Sequence, residues 1–94
     1  MPLTFEWDEE KAAANLRKHK VSFDEAKTVF GDPMSLTIFD ETHSTEEQRY
    51  IDIGISARGR LLVVAYTERG SNIRIISSRR ATPAERKQYD QAAF

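Results

Sequence analysis

The sequence predicts a single α+β domain over residues 1–94, and three observations carry that prediction. After one short strand, two helical patterns come together, then strand patterns, then a closing helix. Such grouping points to α+β, because α/β units would alternate the two. A chain of 94 residues holds one hydrophobic core and little else. Its apolar residues, 39% of the total, recur at strand and helix periods, as in a folded domain rather than a disordered tail.

Each element has a local cause. Leu3, Phe5 and Trp7 alternate with Thr4 and Glu6, which predicts a short strand. Asp8 then caps a helix with Glu9 and Glu10 at its positive end and Arg17, Lys18, His19 and Lys20 at its negative end. Ser22-Phe23-Asp24-Glu25 is a capping box for a second helix, whose Phe23, Ala26, Val29 and Phe30 share one face until Gly31-Asp32-Pro33 stops it. Leu36 to Phe39 is a candidate strand. Tyr50 to Ile55 alternates with its three Ile on one face. Arg58-Gly59 turns the chain into Leu61–Tyr66, apolar on both faces and therefore central. Arg69 to Asn72 turns it again into Ile73–Ser77. Thr82-Pro83-Ala84-Glu85 joins a capping box to a proline at the first helical position. The expected sheet is an antiparallel four-stranded meander plus the short first strand.

Several classes are excluded or weakened. With no Cys, there is no disulfide framework, thiolate metal site or cysteine nucleophile. The longest apolar run, Leu61 to Tyr66, is far too short to span a bilayer, and the amino end lacks a signal-peptide pattern. A cytoplasmic protein without membrane contact is the expectation. Ser56, Ser77 and Ser78 lie outside any nucleophile-elbow sequence, and no Gly-rich phosphate loop is present.

The formal charge of −1 hides an asymmetry. Residues 1–47 hold 5 basic and 11 acidic side chains, and residues 48–94 hold 9 and 4, so the halves carry −6 and +5. Between Arg58 and Arg80 lie six arginines (58, 60, 69, 74, 79 and 80), no lysine and one acid, Glu68. Forked guanidinium donors suit phosphate oxygens better than a lysine point charge. The competing reading is a solvated sheet edge protected by charge. Tyr66 and Trp7 are candidates for base stacking, with core packing as the alternative. His19, between Lys18 and Lys20, is an acid, a base or a phosphate contact, or simply complements the helix dipole. His43 follows Asp40 at a metal-ligand spacing, but two such groups make half a site, so no metal is expected.

A series of short words runs from Phe5-Glu6-Trp7-Asp8 through Asn15-Leu16, Lys18-His19 and Val21-Ser22-Phe23 to Val29-Phe30 and Asp32-Pro33. It continues at Asp40, His43-Ser44, Arg49, Ile53-Gly54, Tyr66-Thr67-Glu68-Arg69, Ile73-Arg74-Ile75-Ile76-Ser77, Arg79, Glu85 and Tyr89. Taken in order, these words resemble the BrnT family of type II toxins, small RelE-like ribonucleases encoded beside an antitoxin. One departure is Lys20, where the family usually has Gly. A left-handed helix cap costs about 1 kcal/mol more for lysine.

The resemblance implies a RelE-like fold, with two N-terminal helices on one sheet face, a C-terminal helix and a basic face opposite. It implies cofactor-free and metal-free RNA cleavage, in which a ribose 2′-hydroxyl attacks its own phosphate, and hence inhibition of translation. On this reading Arg69, Arg74 and Arg79 contact phosphate and transition state, with His19 and Glu68 as acid–base candidates. Trp7, Lys18, His43, Arg60, Tyr66 and Arg80 are expected to contact RNA. The implied partner is a BrnA-type antitoxin with a ribbon-helix-helix domain, through which alone DNA is bound. The rival readings are a non-catalytic nucleic-acid-binding module and a co-repressor subunit using the same arginines.

Overall fold

A computed structural model describes residues 3–43 and 47–92. Asp8 opens α1 (Glu9–His19) as its sequence position predicts: Oδ1 accepts from the N–H groups of Glu10 and Lys11 at 2.8 and 3.1 Å. The helix ends on Lys20, which adopts the left-handed conformation (φ 60°, ψ 31°) and donates its N–H to Leu16 O at 3.0 Å. The cap that glycine usually supplies is therefore made by lysine, at the cost of its Cβ. Lys20→Gly is expected to raise stability by about 1 kcal/mol, read as a higher denaturation midpoint.

Ser22 Oγ accepts from Glu25 N–H at 3.0 Å and starts α2 (Phe23–Ala26). The predicted continuation to Phe30 is a 3₁₀ segment, Lys27–Gly31, rather than α-helix. Thr28 explains the change: its hydroxyl donates to Glu25 O at 2.6 Å, competing for a carbonyl that an α-helix would use. The 3₁₀ segment also lies close against the sheet. A Cβ on Gly54 would sit 2.8 Å from Val29 Cγ1, so only glycine fits there.

Five strands form one sheet in the order β1-β5-β4-β3-β2. β2 (Leu36–Asp40), β3 (Arg49–Ile55), β4 (Leu61–Arg69) and β5 (Asn72–Arg80) make the expected antiparallel meander. β1 (Thr4–Glu6) joins β5 in parallel. Where β1 ends, Asn15 of α1 takes over β5's free edge. Its Nδ2 donates to Ser78 O at 2.8 Å and its Oδ1 accepts from Ser78 N–H at 3.1 Å, so a strand edge beside Arg79 is satisfied by a side chain.

The sheet has two unlike faces. On the helical face, Val21, Phe23, Ala26 and Val29 pack on Leu62, Val64, Tyr66, Ile73 and Ile75. On the other, Ile53, Leu61 and Val63 gather Leu36, Ile38, Ile51, Ile55 and Tyr89. Tyr89 belongs to α3 (Pro83–Ala92), which buries no residue fully and covers only part of this second face. Its hydroxyl donates to Asp32 Oδ2 at 2.8 Å, an oxygen that also accepts Ile55 N–H at 2.8 Å. Burial pushes the Asp32 carboxyl up, but donors from Ile55, Met34 and Tyr89 hold it below its ordinary range. No helix among the described residues is long and apolar enough to cross a membrane.

Candidate nucleic-acid interface

The part of the second face that α3 leaves open carries the arginines. Strict alternation would place Arg74 and Arg79, five residues apart, on opposite sides of β5. A register shift prevents this: Ala65 pairs with Ser77 but Tyr66 pairs with Ile75, so Ile76 is an extra residue in the strand. The face changes parity across the bulge. Arg74, paired with Thr67, and Arg79, paired with Val63, both join the open face.

Arg69 follows Thr67 by two residues and shares that face. Arg49 enters it from β3, where it alternates in phase with Ile51, Ile53 and Ile55. Arg49 was not among the expected contacts, although this alternation was its signal. Asp40, Arg49, Ile51, Val63, Ala65, Ser77 and Arg79 line a cleft of about 290 Å³.

These arginines do not stand as bare cations. Arg69 makes a fork to Glu47, Nε to Oε2 at 2.8 Å and Nη2 to Oε1 at 2.7 Å, which holds the Glu47 carboxyl below its usual range. Arg74 Nη1 donates to Glu6 Oε2 at 3.0 Å. Arg79 donates from Nη1 and Nη2 to the two oxygens of Glu85, at 2.7 and 2.8 Å. Asp40 is the cross-strand neighbour of Arg49. The acidic first half of the chain therefore brings Glu6, Asp40 and Glu47 to the arginines of the second half. These carboxylates orient the guanidinium groups on the open face.

Glu85 has a second task. Thr82 N–H donates to its Oε1 at 2.8 Å, and Glu85 N–H donates to Thr82 Oγ1 at 3.2 Å, completing the capping box of α3. Arg79 above all, with Thr82, pulls the Glu85 carboxyl down to about 2, against the opposing effect of burial. Because the folded value lies below the ordinary 4.5, this contribution is complete above pH 4.5 and is lost as pH falls towards 2. Acid titration followed by far-UV circular dichroism is expected to show α3 melting in that window. In Glu85→Gln the acid step is expected to vanish.

The remaining expected contacts lie elsewhere. Arg60 is held by Glu25, a carboxylate only 6% exposed: Nε donates to Oε2 at 2.9 Å and Nη2 to Oε1, while Ser56 Oγ donates to Oε2 at 2.7 Å. Arg60 Nη2 also reaches Lys20 O at 3.1 Å. Glu25 thus does not close the capping box its position suggested. A buried carboxylate is stabilised far more by a guanidinium fork than by one backbone N–H.

Tyr66 is 3% exposed and its hydroxyl donates to Asp52 Oδ1 at 2.8 Å, so in this fold it is core and offers no face to a base. Burial pushes both the Tyr66 and the Asp52 pKa up. Trp7 meets Phe23 edge-on at 5.9 Å on the helical side. Lys18 and His19 end α1 on that same side, and Arg80 pairs with Leu62 and shares its face. Glu68 alternates with Thr67 and Arg69 and points away from them. The side chain of His43 lies outside the described residues.

Comparisons with known proteins bear on the family and the fold. Residues 7–85 match the family described as "Ribonuclease toxin, BrnT, of type II toxin-antitoxin system". The crystal structure of the Brucella abortus ribonuclease toxin BrnT superposes with a TM-score of 0.68 at 21% identity, over 86% of this chain and 99% of that one. A search of curated proteins finds no match. A family match over most of the chain and a shared fold lead to one conclusion: the chain belongs to the BrnT family of ribonuclease toxins of type II toxin–antitoxin systems.

Proposed function

We propose that this protein is a RelE-like, metal-independent endoribonuclease that cuts RNA on the open sheet face, inhibits translation and growth in the cytoplasm, and is neutralised by an antitoxin. The observation that carries this reading is the register shift in β5, which gathers Arg74 and Arg79 beside Arg49 and Arg69. In the reaction, the ribose 2′-oxygen forms a bond to phosphorus as the bond to the 5′-oxygen breaks. The 2′-proton goes to a base and the leaving oxygen takes up another. The substrate supplies its own nucleophile, so the protein's tasks are alignment, proton transfer and stabilisation of charge growing on the phosphate. Forked arginines serve the last task without a metal ion or cofactor.

Arg74, Arg79 and Arg69 hold the phosphates in this reading. Glu6 is the carboxylate we assign to the 2′-proton, because it already lies on the open face against Arg74. His19, Lys18, Arg80, Arg60, Trp7 and Glu68 face or end elsewhere and take no part in the bond exchange. The antitoxin, of the BrnA ribbon-helix-helix type, covers the arginine face by charge complementarity and brings the complex to DNA.

Purified protein incubated with RNA in EDTA is expected to leave 2′,3′-cyclic phosphate and 5′-hydroxyl ends. Loss of cleavage on chelation would remove the metal-free mechanism. RNA that is bound but never cut, with or without ribosomes, would make the protein a binding module.

A further inference from the structure

One row of the sheet crosses all five strands: Asp40, Arg49, Thr67, Arg74 and Glu6 are successive cross-strand neighbours. Neighbouring strands lie about 4.8 Å apart, so Arg49 and Arg74 begin about 10 Å from each other with Thr67 between them. The charges read acid, base, hydroxyl, base, acid. At the centre, Thr67 is 5% exposed and its Oγ1 has no hydrogen-bond partner among the described residues. A buried hydroxyl without a partner is unfavourable, and valine would fill the same volume with no polar atom to satisfy. Ser78 Oγ shares this condition, but it faces the helical core with Val64 and has no arginine in its cross-strand row.

We propose that Thr67 Oγ1, flanked by Arg49 and Arg74, donates a hydrogen bond to a non-bridging phosphate oxygen of the bound RNA strand. The inference rests on the ribonuclease reading of this face and locates one phosphate within it. Tetrahedral phosphate presents several oxygens, which suits two guanidinium groups approaching from either side of a hydroxyl. Arg74 is half-exposed and tied to Glu6 by one hydrogen bond. Drawing its arm up onto phosphate opens the way to the hydroxyl beneath. Until then Glu6 holds the Arg74 guanidinium toward its own end of the row.

The test compares Thr67→Val and Thr67→Ser with the wild type. The probe is a 2′-O-methyl RNA octamer, which cannot be cut, followed by fluorescence anisotropy, with thermal denaturation in parallel. Thr67→Val is expected to weaken octamer binding about tenfold while keeping or raising the melting temperature. Thr67→Ser is expected to bind like the wild type. Unchanged affinity in Thr67→Val overturns the proposal. A lowered melting temperature in Thr67→Val also overturns it, since the hydroxyl would then have a partner within the fold. Wild type that holds the octamer through Thr67 yet never cuts natural RNA would keep this site and reject the nuclease reading.

Discussion

Alanine in place of Arg74 or Arg79 is expected to lower the single-turnover rate of RNA cleavage by about two orders of magnitude each. That is the usual loss when one preorganised donor to developing charge is removed. The two side chains reach the same face only through the extra residue at Ile76, and each is oriented by a carboxylate, Glu6 or Glu85. Arg79→Lys separates charge from geometry: a lysine keeps the cation but cannot bridge both oxygens of Glu85 or of a phosphate. It is expected to recover only a small part of the rate. Because Arg79 also fixes Glu85 at the start of α3, the melting temperature must be measured beside the rate. A rate close to wild type in Arg74→Ala would take that residue out of the mechanism.

The largest expected effect on stability lies on the other side of the sheet. Glu25→Ala is predicted to destabilise the fold by about 3 kcal/mol, because it leaves the Arg60 guanidinium in place with its countercharge gone. The Glu25 carboxylate collects Ser56 Oγ and the Arg60 fork, and Arg60 passes a further bond to Lys20 O at the end of α1. One buried carboxylate therefore joins α2, the turn before β4 and the α1 cap. Replacing both partners, as Glu25→Leu with Arg60→Met, is expected to restore most of the loss, since a buried ion pair is costly to break and often neutral to replace. Urea denaturation measures both. A loss below about 1 kcal/mol in Glu25→Ala would mean that the pair behaves as a surface salt bridge.

What could be read from residue order was whatever depends on near neighbours. Asp8 and Thr82 announce helix starts, Gly59 and Gly70 take the positive φ their turns require, and Tyr50–Ile55 sorts its faces by alternation. The resemblance to BrnT toxins was equally local, built from short words in order. What could not be read depends on pairing across the chain. The shift at Ile76 exists only in register with β4, and without it alternation sends Arg74 and Arg79 apart. Arg60 looked like a phosphate contact because its partner, Glu25, lies 35 residues away and already had a local explanation as a capping residue. Tyr66, in a strand apolar on both faces, was open to either reading until the fold placed it under Phe30. The split of charge between halves was real in sequence, yet Glu6, Asp40 and Glu47 bring the acidic half back onto the arginines.

On the proposed mechanism, this sheet face lets an RNA strand cut itself. A substrate carrying a single 2′-deoxy nucleotide immediately 5′ of the scissile phosphate tests it directly, with cleavage followed in EDTA and binding measured on the same oligonucleotide. The predicted result is that cleavage stops at that position, while binding stays near the level of the all-ribose strand and is weakened in Arg74→Ala. Continued cutting of the 2′-deoxy strand at the same phosphate would rule this mechanism out, because the nucleophile would then have to come from the protein or from water.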